Sequence, residues 1–135
     1  MQRKVKNILL IDDDAAVNYY HSYIIKNMQL TEKLVVAQSE EAAGKELLAL
    51  QQSKELSPSL IFLDLSMPKY NGFELIEKYE NLFQDLKKKQ VTVVMLTTSD
   101  NPIDIEKSKT VPIIDEYRQK PMTEEMLIEI MNTYT

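Results

Sequence analysis

Asp12, Asp13 and Asp14 stand side by side directly after the apolar residues 8–11, where burial and mutual repulsion both act against them. At a few ångströms and an effective dielectric near 20, each such pair of charges costs on the order of 4 kcal/mol. A fourth aspartate, Asp64, ends the apolar run that starts at Leu60. Thr97, Thr98 and Ser99 end another run, and Lys120-Pro121 follows the last. Clustered carboxylates without His or Cys make a hard oxygen donor set, suited to Mg²⁺ or Mn²⁺ rather than zinc. A divalent cation would offset the repulsion. A lysine facing such a metal suits an additional anion, most simply a phosphoryl group bridging metal, ammonium and hydroxyl.

These residues can meet only if the chain brings them to one edge. Apolar runs at 5–11, 33–37, 60–65 and 91–96 alternate with stretches of helical period, and residues 113–119 supply a fifth run. The first, third and fourth are apolar almost throughout, as parallel strands covered on both faces must be. Val17, Tyr20, Ile24 and Met28 define one apolar stripe and predict a helix over 15–28. Ser39 opens a second helix that runs to about Gln52, and Asn71 with Glu74 gives a capping-box pattern for a third. A short helix is expected over 103–109, and Thr123 caps a last one over 123–134. Five βα units account for the chain. In such sheets ligands sit beyond the carboxyl ends of the strands, where the strand order reverses. The aspartates, the threonine and the lysine all fall there. Asp14 has a second use, as the N-cap of the first helix.

The composition narrows the function. The chain has 135 residues, 44% of them hydrophobic and 27% charged, which suits one globular domain with a sizeable core. A net charge of −5 with scattered basic residues argues against direct nucleic-acid binding, and no apolar stretch is long enough for a membrane helix. With no cysteine there is no disulfide framework and no thiolate metal site. A cytoplasmic protein, monomeric or weakly dimeric, is the expectation.

LLIDDDAAVN, LIFLDLSMPKYNGFELI, VVMLTTSD and EYRQKP together resemble, in order, the signatures of the response-regulator receiver domain of two-component signalling. The resemblance implies a flavodoxin-like, doubly wound five-stranded parallel sheet of order 2-1-3-4-5, in a single domain with no output domain after it. It implies that Asp64 is the phosphoacceptor, taking its phosphoryl group from a histidine kinase, a phosphotransfer protein or a small acyl phosphate. It also implies Mg²⁺, with Mn²⁺ as a substitute, held by Asp13 directly, by Asp12 mainly through water, by Asp64 and by the backbone carbonyl of Ser66. Thr97 and Lys120 would contact the phosphoryl oxygens. Thr97 and Tyr117 would form a switch that alters a partner-binding face made by the fourth helix, the fifth strand and the last helix. Pro121 matches a position that is cis in the family. The downstream partner is an unidentified protein. In this scheme His21 is incidental.

Several positions depart from the family pattern. Asn71-Gly72 stands where Asp-Gly is commoner. Thr98 is larger than the usual residue and should slow loss of the phosphoryl group, while Ser66 and Ser99 occupy other positions that tune hydrolysis. The stretch KSKTVPIIDEY lacks the usual small-residue pattern and contains Pro112. Three other readings compete. A phosphate-independent receiver is opposed by the full set Asp12, Asp13, Asp64, Thr97 and Lys120. An aspartyl-phosphate phosphatase needs a second Asp where Ser66 stands. A flavin-binding relative needs a phosphate loop after the first strand, yet only Gly44 and Gly72 occur.

Overall fold

The computed structural model describes residues 4–54, 58–67, 69–98 and 100–135. Its elements are β1 (Val5–Ile11), α1 (Ala15–Asn27), β2 (Thr31–Ala37), α2 (Glu40–Gln52), β3 (Ser59–Asp64), α3 (Gly72–Lys78), α4 (Glu80–Lys87), β4 (Val91–Thr97), α5 (Pro102–Lys109), β5 (Glu116–Gln119) and α6 (Glu124–Tyr134). The strands form one parallel sheet of order β2-β1-β3-β4-β5, the order that the family resemblance implies.

Period-2 alternation divides the apolar side chains between two layers. Leu9, Ile11, Ile61, Leu63, Val93 and Met95 face a core closed by α2, α3 and α4. Ile8, Leu10, Leu60, Phe62, Val94 and Leu96 face a second core closed by α1 and α6. The N-caps follow the sequence signals. Asp14, Ser39 and Thr123 each accept from backbone N–H groups of their helices, and Asn71 with Glu74 completes a capping box.

Three expectations need correction. The third helical stretch is two helices, so six are present among the described residues rather than five. Tyr79 leaves helical geometry between them (φ −108°, ψ 31°), and its hydroxyl donates to Glu40 Oε1 at 2.7 Å, which also holds Lys78 at 2.5 Å. The break therefore sits where α2 grips the chain. The fifth strand begins at Glu116, not at residue 113. Residues 111–114 turn, Ile113 enters the α2–α4 core from that turn, and Asp115 closes it. The Asp115 N–H donates to the Val93 carbonyl at 2.8 Å, while its carboxylate accepts from Val93 N–H and pairs with Lys87.

The buried face of α1 is also rotated from the expected stripe. Tyr20 is exposed and Val17 half-buried, whereas Asn18, His21, Ile24 and Ile25 point inward. Two polar side chains thus occupy the inner face, and both have partners there.

Candidate functional site

Asp12 follows the buried end of β1 and is itself 5% exposed. Its N–H donates to the Ala37 carbonyl at 3.1 Å, prolonging the β1–β2 ladder past the last apolar residue. Its Oδ1 accepts from Asp14 N–H at 2.9 Å, and its carbonyl accepts from Asn18 Nδ2 at 2.8 Å. Asp13 is exposed, and Asp14 spends its Oδ1 on Ala16 and Val17 N–H as the N-cap of α1. The three consecutive aspartates therefore point into three environments.

Asp64 ends β3 and is 4% exposed. Its Oδ1 accepts from Ser66 N–H at 3.3 Å. Gly72, the first residue of α3, lies against this strand end, and its N–H donates to the Leu65 carbonyl at 2.8 Å. A methyl group on Gly72 would sit 3.0 Å from the Asp64 carbonyl oxygen and 2.8 Å from Met95 Sδ, so glycine is the residue that lets α3 begin so close to the site.

Lys120 joins these groups. Its N–H donates to the Thr97 carbonyl at 2.8 Å, fixing the start of the β5–α6 connection to the end of β4, and the Lys120–Pro121 bond is cis. Its ammonium lies 2.5 Å from Asp12 Oδ2 and 3.0 Å from Asp64 Oδ1. Burial pushes the Asp64 carboxyl up to about 6, Lys120 opposes that rise and the charge of Asp12 adds to it. Burial works against the Lys120 charge, but the hydrogen bonds with Asp12 and Asp64 outweigh it and raise its pKa. At neutral pH, above its raised pKa, Asp64 is ionised beside the Lys120 ammonium.

Carboxylate oxygens of Asp12, Asp13 and Asp64 lie within 4.8 Å of one another. All three are hard donors, and one is open to solvent, so the set fits a small divalent cation. Thr97 is fully buried at the end of β4, one residue beyond Leu96, which pairs with Asp64. Tyr117 is half-buried on β5 against the α2–α4 core. Ser66 and Thr98 are exposed. Ser99 lies outside the described residues. Five expected residues thus converge on the ends of β1, β3, β4 and β5, and Tyr117 pairs with Met95 of β4.

One contributor was missed from the sequence. His21 is 2% exposed, and its Nε2 accepts from Met122 N–H at 3.0 Å. Its partner is a backbone group 101 residues away, which no side-chain pattern announces.

The family model of the response regulator receiver domain matches residues 8–132. The chain is a response regulator receiver domain. Response regulator Rcp1 of Synechocystis sp. is 33% identical over 104 residues, which cover 74% of the chain and 67% of that protein. Other curated relatives are longer: the chain spans about half of a probable C4-dicarboxylate response regulator (50%) and of a sensory transduction protein (46%). Among solved structures, a two-component response regulator from Cytophaga hutchinsonii superimposes with a TM-score of 0.86 at 34% identity, covering 98% of each chain. The Mn²⁺-bound form of Rcp1 superimposes with a TM-score of 0.66 at 31% identity, covering 95% of this receiver and 90% of that chain. Receivers are signalling switches of two-component systems. No helix among the described residues is long and apolar enough to cross a membrane.

Proposed function

We propose that Asp64 accepts a phosphoryl group from a phosphohistidine of a kinase or phosphotransfer protein, or from a small acyl phosphate, and that the resulting aspartyl phosphate switches a partner-binding face. The observation that carries this is the placement of Asp64. It is a buried, ionised carboxylate 3.0 Å from the Lys120 ammonium, with oxygens of Asp12 and Asp13 within 4.8 Å. Asp12, Asp13, Asp64 and the backbone carbonyl of Ser66 would hold Mg²⁺, or Mn²⁺ as in the Rcp1 form. The cation supplies charge neutralisation for the incoming phosphoryl oxygens.

The chain's own groups do the rest. An Asp64 oxygen attacks phosphorus, the bond to the donor nitrogen or acyl oxygen breaks, and the electron pair leaves with the donor. Lys120 turns from the carboxylates to a phosphoryl oxygen, and Thr97 donates its hydroxyl to another. Such charge-dispersed transition states need positioning more than acid–base groups. Movement of Thr97 makes room for the Tyr117 ring, which alters the face made by α5, β5 and α6.

Incubation with acetyl phosphate and Mg²⁺ followed by intact mass tests this reading. One phosphoryl adduct is expected, absent in Asp64→Asn and in the presence of chelator. No adduct from any donor, a phosphohistidine protein included, would leave a phosphate-independent interaction module.

A further inference from the structure

The inner face of α1 carries two polar side chains one turn apart, and each grips a segment that delivers a charge to Asp64. Asn18 Nδ2 donates to the carbonyl of Asp12, and His21 Nε2 accepts from the N–H of Met122, two residues after Lys120. The first segment brings Asp12 and the second brings Lys120, whose ammonium lies between the two carboxylates.

We propose that His21 is a positioning residue for phosphoryl transfer: by accepting from Met122 N–H it fixes the segment that aims Lys120 at the phosphoryl group on Asp64. The proposal rests on the reading that Asp64 is the acceptor. The geometry makes His21 the inner anchor of this segment. Lys120 N–H is tied to the Thr97 carbonyl on the sheet side, and Met122 N–H is tied to α1 on the helix side, so the chain is held on both sides of Pro121. Met122 is fully buried and His21 nearly so, which makes a broken bond costly because the amide would find no water in its place. Burial, reinforced by the nearby Lys120 charge, lowers the imidazole pKa to about 4, so the ring is neutral and Nε2 remains an acceptor at physiological pH. The proton of the ring is then on Nδ1.

His21 is the single histidine of the chain, so its ring nitrogens can be read without assignment ambiguity by long-range ¹⁵N–¹H correlation in the intact protein. An Nδ1-protonated ring is expected, and an Nε2-protonated ring would overturn the proposal whatever the variants do. The variants are His21→Met and His21→Gln, which have similar volumes and differ in whether an acceptor reaches Met122. His21→Met should take phosphoryl from acetyl phosphate about 10- to 100-fold more slowly than wild type at saturating Mg²⁺. His21→Gln should recover most of that rate. Affinity for Mg²⁺, measured by calorimetry, should not weaken in either, because Lys120 competes with the cation for Asp12 and Asp64 rather than helping to bind it. A residue that only fills space would favour Met over Gln. Equal rates for wild type and His21→Met, or parallel loss of rate and Mg²⁺ affinity, would sink the proposal while leaving Asp64 as the acceptor. If wild type takes no phosphoryl group, both readings fall together.

Discussion

The two faces of the sheet are packed with similar apolar side chains but use their polar contacts differently. On the α2–α4 face the polar ties join helix to helix, Tyr79 and Lys78 to Glu40 and Gln51 to Asp85, and helix to turn, Lys87 to Asp115. On the α1–α6 face they run from helix to strand end, through Asn18 and His21 to the segments that carry Asp12 and Lys120. The polar ties of the α1–α6 face therefore reach the segments that carry two of the site charges, whereas those of the α2–α4 face hold structural elements to one another.

Phe83→Ala tests that separation with the largest effect. Phe83 is fully buried in the α2–α4 core, and its truncation should cost about 3–5 kcal/mol in urea unfolding. The folded variant should keep wild-type Mg²⁺ affinity and phosphorylation rate. A weakened Mg²⁺ affinity would show that the two faces are coupled.

The pH dependence of stability should belong mainly to the α1 side. His21 is held at about 4, below its ordinary 6.5, so the unfolded chain binds more protons between those values. That contribution is present above pH 6.5 and is lost as pH falls towards 4. Asp64 is raised from 3.8 to about 6, so the folded chain binds more protons there. Its contribution is present below pH 4 and is lost as pH rises towards 6. Each is worth roughly 3 kcal/mol, with opposite sign, and they offset one another. Asp64→Asn should therefore leave stability rising with pH between about 4 and 6.5, and His21→Gln should leave it falling between about 4 and 6. Denaturant unfolding across that range measures both slopes. The shape of the profile should be unchanged in Phe83→Ala.

Gly44→Ala should give the smallest effect. A methyl group there overlaps the Tyr79 hydroxyl, so the ring must move and release Glu40. Replacing glycine inside a helix gains up to about 1 kcal/mol, and the displaced ring should turn that gain into a net loss on the order of 1 kcal/mol. In a Tyr79→Leu background the same change should become neutral or stabilising, which a double-mutant cycle of unfolding free energies would show.

Most strands were legible in the sequence because they are written in continuous apolar patterns, while the strand order and the roles of the site residues came from the family resemblance. β1, β3 and β4 are apolar runs, and Asp12, Asp13, Asp64, Thr97 and Lys120 each follow a run's end. What the sequence hid depends on contacts between distant residues. The helix break at Tyr79 answers to Glu40, 39 residues earlier. The late start of β5 follows from a turn whose isoleucines read as strand while one of them fills the core. The rotated face of α1 has the same origin, since Asn18 and His21 count as surface residues until their backbone partners are known.

Lys120, lying between Asp12 and Asp64, acts as a resident counter-ion. Three carboxylates against one ammonium leave two negative charges, the complement of one divalent cation. The chain can therefore reach its native state before it meets a metal, with the worst of the repulsion already relieved from within. On the proposed reading folding and loading are separate events, and the supply of a divalent cation would set how many of the folded copies are ready to react.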